Sequence, residues 1–349
     1  MESRRRDVII LAAALASGAW LRFSHLGAPS FWLDEILHYD LATSAARQPW
    51  WRWLWPFEVE NGPLFYASGL AGRFARDIEL SARIAPALFG LAAIALTLVA
   101  RRAAIFRDAT VAALPLLIAA SPLHVYYSRE ARPYALLMLL ALALLVAILT
   151  EARGPTVALL LGASAWTGAA SFPLLAAATF ALALRRRWSL AGCGFALAAA
   201  IPLLYAGGAA PVDNASFPPF STRLLDSVLQ SFSVVAVEPP RHRAIAYWIA
   251  ALAATGAVDL LRRGRRDGAA VLVFAVVPAA VSIVALWRLH HWYAPRYVTV
   301  ALPGYLVLVA AGIGFAVAGL RRAAPLAGIA LAVAIGACGW RSATTEPYR

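Results

Sequence analysis

Long apolar runs alternate along this chain with short polar breaks rich in arginine. The uncharged stretches 109–127, 268–287 and 297–320 each approach the roughly 20 residues that cross a hydrocarbon core. The same length rule predicts helices near 8–25, 81–100, 109–127, 134–150, 155–169, 172–184, 188–206, 244–261, 268–287, 297–320 and 323–340, about eleven spans. The uncharged run 154–184 is long for one helix and short for two; it is divided at 167–173, because a single span would carry the next arginines to the opposite side.

Alternation from a cytoplasmic N-terminus places Arg101, Arg102, Arg107, Arg153, Arg185 to Arg187, Arg262, Arg263, Arg265, Arg266, Arg321 and Arg322 on the cytoplasmic side, as the positive-inside rule expects. The non-cytoplasmic side then receives two longer segments, 26–80 and 207–243. Trp32, Trp50, Trp51, Trp53 and Trp55 in the first are of the type that settles at headgroup level, which predicts short juxtamembrane helices there. Arg4, Arg5 and Arg6 ahead of an apolar stretch resemble a signal peptide, but Arg22-Phe23-Ser24-His25 lacks a small-residue cleavage site, so an uncleaved first span is expected. The fold class is therefore an all-α polytopic membrane protein, a single transmembrane domain over 1–349 with no separate soluble domain.

Composition agrees. The chain is 62% hydrophobic and 14% charged, against about 45–50% and about 25% in soluble domains. A net charge of +13 would suggest nucleic acid in a soluble protein; arginines set between apolar spans mark topology instead, and anionic lipid headgroups are the expected partners rather than nucleic acid. Cys193 and Cys338 lie in apolar spans without metal-ligand spacing, so neither a disulfide framework nor structural zinc is expected.

Candidate chemistry gathers at the outer rim. Asp34 and Glu35 follow Ser30-Phe31-Trp32-Leu33, where a carboxylate is partly desolvated and its proton affinity tunable; the plainer alternative is helix capping. Tyr127-Ser128-Arg129-Glu130-Ala131-Arg132-Pro133-Tyr134 sets two arginines around a carboxylate, a composition suited to an anionic phosphate, with snorkelling arginines as the alternative. His290 and His291 are adjacent and on a helix would diverge by about 100°, which argues against a shared metal ion. Arg296, at the start of an apolar span, is either an anchor or a phosphate ligand. There is no Gly-Lys-Ser/Thr phosphate loop and no Gly-x-Gly-x-x-Gly turn.

The succession Phe31-Trp32-Leu33-Asp34-Glu35, Asn61-Gly62-Pro63-Leu64-Phe65-Tyr66, Ser81-Ala82-Arg83-Ile84-Ala85-Pro86-Ala87-Leu88-Phe89-Gly90 and the Tyr127 to Tyr134 segment resembles glycosyltransferase family 39 of the GT-C superfamily, the group of polyprenyl-phosphate-mannose protein mannosyltransferases. The likeness covers about the first 150 residues, and Pro295-Arg296-Tyr297 resembles a later family segment. Family members often carry His-Pro-Pro at Asn61-Gly62-Pro63 and a Thr-His-Tyr type segment at Trp166-Thr167-Gly168. The resemblance implies a polyprenyl-phosphate sugar donor, an outward-facing site in a bacterial inner (plasma) membrane, and inverting transfer to a lipid, glycan or protein hydroxyl. Asp34 would be the base and Glu130 the second acidic residue; Glu35, Asn61, Tyr127, Arg129, Arg132, Tyr134, His290, His291 and Arg296 would line the substrate site. No cofactor is required; a divalent cation is compatible with the superfamily. A lipid-linked sugar flippase or a non-catalytic lipid-binding protein is the alternative.

Overall fold

The computed structural model describes residues 2–46, 62, 77–204, 222–234, 243–288 and 294–344. Asn61, Trp50 to Trp55, His290, His291 and most of 207–243 lie outside the described residues. Within them every regular element is helical: α1 (Glu2–Phe23), α2 (Leu33–Ala46), α3 (Ile78–Ala100), α4 (Asp108–Ala120), α5 (Pro122–Ser128), α6 (Tyr134–Leu149), α7 (Gly154–Ala165), α8 (Phe172–Leu184), α9 (Trp188–Leu204), α10 (Thr222–Val234), α11 (Arg243–Arg263), α12 (Arg265–Arg288), α13 (Leu302–Ala316) and α14 (Ala324–Thr344).

Each apolar segment expected from the sequence coincides with helix, and α2 forms where a juxtamembrane helix is expected. Among the described residues four helical stretches can cross a membrane by length and composition: α3, α11, α12, and Pro295–Ala316, which joins a 3₁₀ turn to α13. A fifth is added if the bent pair α4 and α5 counts as one span, and five further apolar helices are shorter. The molecule is thus compatible with a helical membrane protein.

Two helices form the centre. α6 is apolar all round and buried along nearly its whole length, and the Pro295–Ala316 window is 94% buried; an apolar helix without a polar face needs neighbours or lipid on every side. The windows of α3, α11 and α12 are only 44, 39 and 44% buried, and Trp20, Leu159, Trp188, Phe195 and Leu326 are exposed at the periphery. Apolar surface of that extent facing outward belongs against lipid. Between α11 and α13 the backbones meet closely: a Cβ at Gly256 would stand 2.0 Å from the Leu308 carbonyl oxygen, and one at Gly312 2.0 Å from that of Leu252. Small residues permit this approach, which replaces hydrophobic drive inside a bilayer.

One expected span is discontinuous, and one expected division is found. The stretch 109–127 breaks at Ser121-Pro122 with a 51° bend, because Pro122 begins a new helix that Ser121 caps through the His124 amide. The carbonyls left at the end of α4 are met by Arg22, which is fully buried and donates to Ile118 O and Ala119 O at 3.1 Å. The chain also breaks between α7 and α8, as expected for 167–173, where Gly168 takes φ 145°.

Ion pairs tie loop ends together at one rim. Arg107 at the start of α4 pairs with Asp259 near the end of α11 at 2.6 Å, Arg101 with Asp7 of α1 at 3.5 Å, and Arg185 after α8 with both Glu151 after α6 and Asp267 of α12. The start of α6 and the end of α5 lie at the other rim, beside α2.

Candidate active site

The other rim is organised by the neighbouring residues Asp34 and Glu35 in the first turn of α2. Trp32, Leu33, Ile36 and Leu37 are exposed while Glu35 and His38 are buried, so α2 presents its polar face inward. This arrangement suits a helix whose outer face meets an apolar medium.

Glu35 is closed off. Its carboxylate receives Arg83 Nε at 2.9 Å and Nη2 at 2.6 Å, and Oε1 also accepts the Ala131 amide at 2.9 Å. Arg83 further donates to Leu26 O and Pro29 O at 3.2 and 2.7 Å and lies over the Phe31 ring. The side chains are only 2% and 4% exposed. A bidentate pair with every oxygen used joins α2, α3 and the loop before α6, so Glu35 is a clamp rather than a substrate ligand.

Asp34 is open. One oxygen, Oδ2, receives Arg132 Nη1 at 3.0 Å and Arg296 Nη1 at 2.9 Å, and the aspartate side chain is 26% exposed. Arg132 also donates to Tyr134 Oη at 2.8 Å, and its buried Nε has no partner among the described residues. Arg296 lies over the Tyr297 ring. The structure thus brings together Asp34, Arg132, Tyr134 and Arg296 from α2, the loop before α6, α6 itself and the turn before α13.

Glu130 occupies the same loop. It is 6% exposed, and its buried Oε2 has no partner among the described residues. Burial pushes the carboxyl up to about 7, with Glu35 adding to the rise, against a hydrogen bond from Tyr126 and the positive charges of Arg132 and Arg296. Of the two arginines that flank Glu130 in the sequence, Arg129 turns away from it. Arg129 donates to Leu21 O at 2.8 Å and His25 O at 3.4 Å, so it caps the end of α1, where orphan carbonyls attract a cation. Tyr127 is packed between Tyr126 and Tyr134, with ring centroids 5.0 and 4.9 Å away, which makes it a buried support for the loop. The Gly62 amide donates to Thr167 O at 2.9 Å, which brings Gly62 to the α7–α8 break.

Three residues were not singled out in the sequence. Arg83 holds Glu35; its signal was a lone cation at the head of an apolar helix, which needs a partner. Arg22 is the same case at the end of α1. His38, one turn after Asp34 and so on its face, places Nδ1 2.6 Å from the Asp34 carbonyl oxygen and 3.4 Å from Arg132 Nη1. Since a carbonyl only accepts, Nδ1 carries the proton there.

Among the described residues no group of three His, Cys, Asp or Glu side chains is gathered so as to hold a metal ion. No family model matches the chain, and no characterised protein and no solved structure matches it either.

Proposed function

We propose that the chain is a membrane glycosyltransferase that moves a sugar from a polyprenyl-phosphate donor to an acceptor hydroxyl with inversion, on the non-cytoplasmic face. The observation that carries this reading is the convergence of Arg132 and Arg296 on one aspartate oxygen, at the rim opposite the arginine-rich loops. Two guanidinium groups from different elements form a fork for a phosphate, and a low-dielectric rim strengthens their hold on the charge that develops as phosphate leaves. In this reading about eleven segments cross the membrane, the arginine-rich rim is cytoplasmic and the site faces outward, in a bacterial inner membrane.

In the reaction, the acceptor oxygen attacks the anomeric carbon from the face opposite the phosphate. The bond from the anomeric carbon to the phosphate oxygen breaks and its electron pair stays on that oxygen, while the hydroxyl proton passes to the Asp34 carboxylate. General-base help of this kind is worth about 10²–10⁴-fold. One carboxylate is sufficient, because inversion needs no covalent sugar–enzyme intermediate.

The bend between α4 and α5 supports a second reading, since broken helices beside buried cations are features of transporters and flippases. Against it, Arg22 at that bend gives hydrogen bonds to Gly18 O, Ile118 O, Ala119 O and His124, which occupies it as a helix cap. Vesicles containing the purified chain and a radiolabelled polyprenyl-phosphate sugar separate the two. A transferase moves label from lipid phosphate to the acceptor with inverted anomeric configuration; a flippase moves labelled lipid between leaflets with the sugar–phosphate bond intact, and that result would overturn the proposal.

A further inference from the structure

We infer that Asp34 is an internal competitor for the anion site formed by Arg132 and Arg296, so that a phosphate ligand must displace its carboxylate from the two guanidinium groups. The inference rests on the proposed function only for the identity of the natural ligand; the site itself takes phosphate monoesters or diesters.

Three features of the geometry carry it. First, both arginine contacts fall on one oxygen, Asp34 Oδ2, where a phosphate oxygen would lie if it bridged the two guanidinium groups. Second, Arg132 Nε is a buried donor without a partner among the described residues. A phosphate offers several acceptor oxygens and up to two charges, so it satisfies this donor set better than a carboxylate does. Third, the competitor is free to leave while its surroundings are not. The Asp34 side chain is 26% exposed, whereas Glu35 beside it is locked by Arg83 and the Ala131 amide. The Asp34 backbone is held by His38 at 2.6 Å, so its side chain can swing without α2 moving.

The consequence is an order of events. With the arginines on Asp34, its oxygen is occupied by their N–H groups. Once phosphate takes the arginines, the carboxylate is released beside the reacting centre with a lone pair open to the acceptor hydroxyl. Donor binding thereby frees Oδ2, the oxygen that faces the arginines, beside the phosphate they then hold. Apparent donor affinity is reduced by the fraction of time the clasp is closed.

The test uses the full chain in lipid nanodiscs at pH 8, where Glu130 is ionised, with farnesyl monophosphate, farnesol and inorganic phosphate as probes. Asp34→Asn keeps the shape and removes the competitor; Glu130→Gln removes a negative charge from the same site without opening the clasp. Thermal unfolding of each variant shows that it is folded. The expected result is farnesyl monophosphate binding at least about 10-fold tighter in Asp34→Asn than in the native chain, a much smaller gain in Glu130→Gln, and no binding of farnesol. Equal affinity in native and Asp34→Asn protein, or an equal gain in both variants, overturns the competition. Failure of either phosphate to bind any variant, with Arg132→Lys making no difference, overturns the anion site and with it the proposed function. Inorganic phosphate that binds as tightly as the farnesyl ester and gains equally in Asp34→Asn supports the competition but overturns a lipid-linked donor.

Discussion

Asp34 and Glu35 are adjacent in sequence and share the first turn of α2, yet their carboxylates stand in opposite situations. Glu35 meets one arginine in a fully buried bidentate pair, with a backbone amide completing its shell. Asp34 meets two arginines through one oxygen at a partly exposed edge. The first arrangement leaves nothing to exchange; the second can trade one anion for another. The same contrast divides the arginines. Arg22, Arg83 and Arg129 give most of their donors to backbone carbonyls, with His124 and Glu35 taking others, while Arg132 and Arg296 share one carboxylate oxygen. A charged residue at this rim is thus distinguished by what its partners are: a guanidinium spent on backbone carbonyls holds the fold, while two that meet on one partly exposed carboxylate oxygen can exchange it for another anion.

The sharpest way to break this contrast is at the clamp. Removing one member of a buried ion pair leaves an uncompensated charge, at a cost of about 3–5 kcal/mol. Glu35→Gln and Arg83→Met should each lose most folded protein, read as recovery of monodisperse material and as thermal unfolding in detergent. The double variant Glu35→Leu/Arg83→Met should regain part of that loss. Normal unfolding of both single variants would show that the clamp is dispensable.

Glu130 gives the next largest effect, and a sign. Its carboxyl is raised from 4.5 to about 7, so the folded state binds the proton more tightly than the unfolded state does. The cost of ionising the buried group is absent below about pH 4.5, grows as pH rises through the interval, and is complete above about pH 7. Glu130→Gln should therefore flatten the fall in stability between those values and be the more stable form at pH 8, by on the order of 3 kcal/mol. Identical pH profiles of unfolding for native and variant protein would refute the buried, proton-holding carboxyl.

Smaller effects separate the arginines. Arg132→Lys and Arg296→Lys keep the charge but lose the planar fork, so donor KM should rise about 10-fold in each. Arg129→Lys should change donor KM by less than about twofold, because its role is to cap the end of α1. An Arg129 variant as impaired as the other two would place it back among the donor ligands.

The helices were legible because an apolar run of membrane length has few alternatives, and because arginines between the runs mark which loops lie together. Even the α7–α8 division followed from keeping Arg185 to Arg187 beside the other basic loops, and Arg185 indeed meets Glu151 and Asp267. The α4–α5 bend was missed although Ser121-Pro122 is a capping signal, since hydropathy runs through it unbroken. The site was legible as a list of residue types and only partly as an arrangement. Asp34, Arg132, Tyr134 and Arg296 converge, but nothing in spacing distinguishes Arg129 from Arg132 three residues on. What separates them is that Arg129 follows α5 directly and reaches the end of α1, a contact between elements that no local pattern encodes. Glu35 stands among the substrate ligands on the resemblance alone, because its partner Arg83 lies 48 residues away and no local pattern joins them.

The most direct test of the central claim is Asp34→Asn, with sugar transfer from a polyprenyl-phosphate donor and thermal unfolding measured on the same reconstituted sample. Asparagine preserves the side-chain shape and most of the capping capacity while removing the basic oxygen. The account predicts transfer reduced by about 10²–10⁴-fold with unfolding essentially unchanged, the reverse of what Glu35→Gln should show. Near-normal transfer by a folded Asp34→Asn protein would contradict it.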